Sequence, residues 1–139
     1  MTRIDFHLNA ADKLGYACRL VRKIHASGQR AVVHHDDGAW LARLDQALWT
    51  FSPLDFIPHV LAGDPLAAET PIVLSGDDSD PPHCEVLVNL GQACPPYFSR
   101  FERLIEVVGA LEDERQLARE RWRFYRGRGY PLQSFDLAS

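Results

Sequence analysis

The sequence predicts an α/β domain with a mainly parallel sheet of about five strands, covered by helices. Two observations carry that reading. Within the first fifty residues the apolar spacing switches from period two to period 3.6 and back, giving β-α-β-α. Three further apolar runs, Pro71–Leu74, Glu85–Leu90 and Arg103–Val108, are bounded by turn residues and read as buried strands. At 139 residues the chain has the length of one ordinary domain, so residues 1–139 are expected to form a single unit.

Ile4-Asp5-Phe6-His7-Leu8 alternates and reads as the first strand. Asp12 is placed to cap a helix whose Leu14, Cys18, Val21 and Ile24 share one stripe, and Ser27-Gly28 ends it. Ala31–His34 is a second strand. Asp36-Asp37 then opens a helix carrying Trp40, Leu41, Leu44 and Leu48. From Phe51 to Pro71 the chain is irregular, broken by Pro53, Pro58, Gly63 and Pro65. Ser75–Pro82 is a polar loop in which Asp77, Asp78 and Asp80 cluster, and Pro95–Phe101 reads as a turn or short helix. Glu112–Arg128 is the clearest helix, acidic at its start and basic toward its end, as the helix dipole favours.

The net charge of −4 is unevenly distributed. Residues 1–114 carry 17 acids against 9 bases, whereas residues 115–128 carry six arginines against Glu120 alone. An acidic body with one arginine-rich segment would repel most of a phosphate track, so direct nucleic-acid binding is not expected. A short anionic partner suits it better. No apolar run exceeds four residues (Ala39–Ala42), so no membrane span is expected, and the N-terminus lacks a signal-peptide core. Cys18, Cys84 and Cys94 are three cysteines without a CxxC, a pattern that fits a reducing cytoplasm; Cys18 belongs to the core stripe of its helix.

Neither GxxxxGK[ST] nor GxGxxG follows any strand, so no phosphate-binding loop and no nucleotide cofactor are expected; Gly127 and Gly129 read as a helix C-cap. His83-Cys84-Glu85 matches half of a zinc-deaminase signature, but the P-C-x-x-C half is missing. His34-His35-Asp36-Asp37 reads as a strand end running into a helix cap. No metal site is expected, and no residue stands out as a nucleophile. The rival reading is a small enzyme or nucleotide-binding protein, since α/β folds host many chemistries.

Two features remain. Trp49, Phe51, Leu54, Phe56 and Ile57 concentrate large apolar groups in a proline-broken segment. Some should fold back onto the core, and an exposed remainder marks a partner surface. On the last helix, Arg115, Arg119, Trp122, Arg123 and Arg126 fall within an arc of about 100°. Guanidinium groups around an indole can fork onto carboxylates while the ring takes an apolar group. Leu117, Phe124 and Tyr125 point elsewhere, toward the side expected to be buried.

At these residues the sequence resembles the chi subunit of bacterial DNA polymerase III. The resemblance rests on Arg43-Leu44-Asp45-Gln46-Ala47-Leu48-Trp49, on Phe56-Ile57-Pro58-His59-Val60-Leu61-Ala62-Gly63, and on Gln116 through Arg126. It spans the chain, weakly only over Ala67–Cys84. It implies a three-layer, Rossmann-like fold without a nucleotide site, and no catalysis. It also implies an adaptor linking the clamp loader, through the psi subunit, to the C-terminal tail of the single-stranded-DNA-binding protein. By position, the tail pocket would comprise Val108, Arg115, Arg119, Trp122 and Arg123, and Trp49 and Phe56 would face psi. Arg115 stands where the family often has lysine. Trp122 and Arg123 stand where it can have tyrosine and lysine, so charge and aromaticity are kept.

Overall fold

The computed structural model describes residues 1–50, 56–76 and 80–138. Phe51 and Leu54 of the apolar segment, and Asp77–Ser79 of the acidic loop, lie outside the described residues. The elements run β1 (Arg3–Ala10), α1 (Lys13–Ala26), β2 (Ala31–His34), α2 (Gly38–Thr50), β3 (His59–Leu61), β4 (Ile72–Ser75), β5 (Val86–Asn89), β6 (Arg103–Gly109), α3 (Glu112–Gly127) and β7 (Leu132–Asp136). Single turns of 3₁₀ helix lie at Ala67–Glu69 and Phe98–Arg100.

The strands form one seven-stranded sheet in the order β3-β4-β2-β5-β6-β1-β7, with every pair parallel. The five strands expected from the sequence are the five inner ones. Four of them, covered on both faces, read as continuous apolar runs, while β1 alternates; Val32, Val33, Val73, Leu87 and Ile105 have no exposed surface. The two edge strands are the addition. β3 is three residues long, between Pro58 and Gly63. β7, Leu132-Gln133-Ser134-Phe135-Asp136, has no apolar alternation and is exposed from Gln133 onward.

Alternate residues of each strand serve opposite faces. On one face Val33, Leu74, Val88 and Ile105 pack with α1 and α2 through Ala17, Val21, Leu44 and Leu48. On the other, Phe6, Val32, Leu87 and Val108 pack with α3 through Ala118 and Tyr125, and with Tyr97, Phe98 and Phe101. The result is the three-layer arrangement. Cys18 is buried on the α1 stripe, and Ile57 is a core residue at 2% exposure.

The helix ends follow local chemistry. The Asp12 carboxylate accepts the Gly15 N–H (3.1 Å), and Asp37 accepts the Ala39 N–H (3.0 Å). After α3 the chain closes a Schellman motif: Gly129, at φ 85°, donates to Arg126 O while Tyr130 donates to Tyr125 O. Only that left-handed residue requires glycine for the turn. Gly127 lies inside the helix.

One charged residue sits in the middle of β6. Glu106 is fully buried, and its carboxylate accepts from Asn89 Nδ2 (2.9 Å), Arg121 Nε (3.1 Å) and the Tyr125 hydroxyl (2.6 Å). Burial pushes the Glu106 carboxyl up from its ordinary range, and the Arg121 guanidinium pulls it back. Burial likewise pushes the Tyr125 phenol up, which keeps it a donor. Arg121 Nη1 also donates to Gln92 O (2.6 Å). These bonds fix the rotation of α3 about its axis, and so decide which of its arginines face outward.

Candidate functional site

The buried stripe of α3 is Ala118, Arg121 and Tyr125. This corrects the expectation for its opposite side: Leu117 and Phe124 remain 38% and 40% exposed, and Tyr125 alone of that trio is buried. The six arginines hid this, because only the Glu106 partner distinguishes Arg121 from the others. With that stripe docked, Arg115, Arg119 and Trp122 come to lie over the carboxyl end of β1 and β7.

There they line a cleft of about 350 Å³ with Phe6, Leu8, Asn9, Val108, Ser134 and Asp136 as the other principal walls. Ala118 also lines it, from the helix side. Trp122 meets the Phe6 ring edge to face, with centroids 5.2 Å apart, and Val108 is buried beside them. The β1 ladder breaks register between His7 and Ala10, where Asn9 adopts a left-handed φ of 63°. Asparagine tolerates that conformation better than most residues. Its side chain turns to donate to Asp136 Oδ1 (2.9 Å), joining β1 to β7 at the cleft rim.

The electrostatics of the rim are mixed. Arg115 Nη1 and Arg119 Nη1 lie 3.4 Å and 3.3 Å from the two oxygens of Glu112, one turn and two turns back on the same helix. Their side chains stay 44% and 49% exposed, so both forks can turn to an incoming carboxylate. Asp136 is held below the usual carboxylate range, first by the Asn9 amide and then by the Ala138 N–H. The cleft therefore offers an aromatic floor, two guanidinium groups at its mouth, and one fixed anion.

Of the residues expected from the sequence, Val108, Arg115, Arg119 and Trp122 are brought together. Arg123 and Arg126 are exposed and are not among the lining residues. Phe6, Leu8, Asn9, Ala118, Ser134 and Asp136 were missed. The alternation of Phe6 and Leu8 was a usable signal; β7 gave none.

The second expected pair also converges. Trp49, near the end of α2, is 52% exposed and Phe56 is 67% exposed, with ring centroids 5.6 Å apart. The buried His59, opening β3, supports them: its ring centroid lies 4.6 Å from Trp49. His59 Nδ1 is 2.7 Å from Ile57 O, and Nε2 is 3.2 Å from Asp45 Oδ1. This patch lies by one edge strand and the cleft by the other. Six strand spacings of about 4.8 Å separate those edges by roughly 29 Å.

The histidine clusters have structural partners. His83 Nε2 lies 3.1 Å from Thr70 O, His34 Nδ1 lies 3.1 Å from the Tyr97 hydroxyl, and His35 Nδ1 accepts the Asp37 N–H (2.9 Å). Among the described residues no group of three His, Cys, Asp or Glu could hold a metal ion. No helix there is long and apolar enough to cross a membrane.

The class these features define is an all-parallel, three-layer α/β domain carrying a cation-rimmed aromatic cleft at one sheet edge and an exposed aromatic pair at the other. Residues 1–133 match the family described as DNA polymerase III chi subunit, HolC. The DNA polymerase III subunit chi of Pseudomonas aeruginosa is 39% identical over 141 residues, covering 99% of this chain and 98% of that protein. Those of Haemophilus influenzae and Escherichia coli are 29% and 27% identical, covering 85% and 91% of this chain and 83% and 86% of theirs. The chain belongs to the DNA polymerase III chi subunit family, a component of the bacterial replicative holoenzyme.

Proposed function

We propose that this chain is a non-catalytic adaptor of the cytoplasmic replisome. Its cleft receives the acidic C-terminal tail of single-stranded-DNA-binding protein, and its Trp49–Phe56 patch docks the psi subunit of the clamp loader. Residues 1–139 act as one unit, without a cofactor and without direct contact to nucleic acid.

The observation that carries this reading is the convergence of Arg115, Arg119 and Trp122 with Phe6 and Val108 in one cleft. A tail ending in acidic residues and Pro-Phe presents side-chain carboxylates, a terminal carboxylate and one phenyl ring. The ring fits the floor made by Phe6, Val108 and Trp122, while Arg115 and Arg119 meet the carboxylates. Arg123, exposed on the same helix, is placed for an anion further along the tail.

A charge-assisted hydrogen bond contributes about 1.5–3 kcal/mol and a buried phenyl about 2. Ordering a flexible peptide cancels much of that, and the exposed arginines are screened, so micromolar affinity is expected. Titrating labelled tail peptide at rising salt tests it. Affinity should fall with salt, and removing the terminal Phe should abolish most binding at every salt. Equal affinity with and without that Phe would contradict the assignment.

A further inference from the structure

We propose that an acidic tail peptide seated in the cleft continues along β7 as an eighth, parallel strand, so that the free sheet edge is part of the binding site. The inference rests on the peptide reading of the cleft and specifies how the residues upstream of its C-terminus are held.

The ladder between β1 and β7 determines which backbone groups are spoken for. Ile4 N–H donates to Pro131 O, and Leu137 N–H donates to Leu8 O. Ile4 pairs with Leu132 and Phe6 with Ser134 in parallel register. In a parallel ladder each strand turns alternate residues toward one neighbour. Residues 131, 133, 135 and 137 therefore bond inward to β1, and the N–H and C=O groups of Leu132 and Ser134 point outward. β7 is the sheet edge, so no eighth strand among the described residues meets them.

Proteins blunt such edges with very short strands, lysines, prolines or bulges. The opposite edge obeys that rule, since β3 is only three residues long. β7 is five residues long, exposed from Gln133 onward, and contains neither lysine, arginine nor proline. An edge left open in this way suits main-chain recognition by strand addition.

Position and charge select the occupant. Ser134 and Asp136 line the cleft as well as forming the edge, so the edge is continuous with it. The cleft lies at the carboxyl end of β7. A peptide whose C-terminus fills the cleft must approach from the Leu132 end, which makes it parallel to β7 and in keeping with the rest of the sheet. Arg115 and Arg119 line the cleft at the carboxyl end, where they meet the carboxylates nearest the C-terminus of an acidic strand. A neutral or basic strand would gain the same main-chain bonds without those counter-charges.

The test uses the full chain, labelled with ¹⁵N, and two synthetic peptides closing on Pro-Phe: one of about four residues and one of about nine with acidic residues upstream. The Trp122 indole resonance reports occupancy of the cleft. Amide hydrogen exchange reports the edge. Both peptides should shift the indole. Only the longer should slow exchange at Leu132 and Ser134, by at least tenfold, and it should bind about tenfold more tightly. N-methylating alternate upstream residues of the long peptide should erase that gain in one register and spare it in the other. Indole shifts by the long peptide with unchanged exchange at Leu132 and Ser134 would overturn the strand while leaving the cleft reading intact. No indole shift with either peptide would remove the cleft reading, and the strand with it.

Discussion

At the β3 end of the sheet, Trp49 and Phe56 set two exposed rings at a tilt to each other, with Trp49 against a buried histidine. At the β7 end, an aromatic floor is rimmed by arginines. The charge of the chain is divided in the same sense. Residues 31–114 hold 15 acids against three bases, whereas residues 1–30 hold six bases against two acids, and residues 115–139 repeat that six-to-two balance. The apolar pair thus belongs to the acidic stretch and the cleft to the basic one. An acidic peptide is repelled from the first and drawn to the second, while an apolar partner finds at the first the two most exposed Phe and Trp rings among the described residues. On the proposed reading, one small domain sorts two ligands because their surfaces lie by opposite edges of the seven-stranded sheet.

The largest expected effect separates fold from site within the β7 end itself. Arg119 and Arg121 are two residues apart, yet one is half exposed and the other has a side chain only 7% exposed against Glu106. Arg121→Ala leaves Glu106 buried without its cation and should cost about 3–5 kcal/mol of stability. Arg119→Ala should leave the denaturation midpoint within error and weaken the acidic peptide about tenfold. Chemical denaturation of both variants checks this. Equal midpoints would mean that the Glu106 network does not hold α3.

The next effect belongs to the other end. Phe56 is 67% exposed, so Phe56→Ala should barely alter stability. As an interface anchor it should weaken psi binding by about 30- to 150-fold, corresponding to about 2–3 kcal/mol. A large drop in melting temperature with psi binding intact would make Phe56 a structural residue instead.

How much of this was legible follows from where residues sit. Four of the five inner strands are covered on both faces and were written into the sequence as runs of Val, Ile and Leu, whereas β1 was read from the alternation of Ile4, Phe6 and Leu8. The edge strands lack that cover, and Leu132–Asp136 resembles any polar loop. Three of the ten cleft residues were invisible: Ser134 and Asp136 come from the edge strand β7, and Asn9 from an irregularity in β1. The helix half was readable because 100° spacing places Arg115, Arg119 and Trp122 together wherever the helix docks. What spacing could not decide was the docking itself. The available clue was Glu106, a lone charge inside Leu104-Ile105-Glu106-Val107-Val108, which demands a buried cation and finds Arg121. The patch was legible from Trp49 and Phe56, although Ile57 beside them turned inward.

A smaller effect sharpens the electrostatic side of the comparison. Glu112 occupies both cleft arginines in the free protein and competes with any incoming carboxylate. Glu112→Gln should strengthen acidic-peptide binding about threefold at low salt, with the advantage fading as salt rises. Exposed pairs of this kind contribute about 0.3–0.5 kcal/mol, so stability should hardly change. Psi binding should be untouched. Peptide titrations at two ionic strengths would reveal it, and unchanged affinity would show that the arginines already face the ligand.

The claim that two separate surfaces serve two partners is tested most directly by titrating tail peptide and psi against one set of proteins: wild type, Trp122→Ala and Phe56→Ala. Trp122→Ala should lose at least tenfold in peptide affinity with psi affinity unchanged, Phe56→Ala should do the reverse, and saturating wild type with psi should leave peptide affinity within twofold. Loss of both ligands in either variant, or exclusion of the peptide by bound psi, would contradict the account.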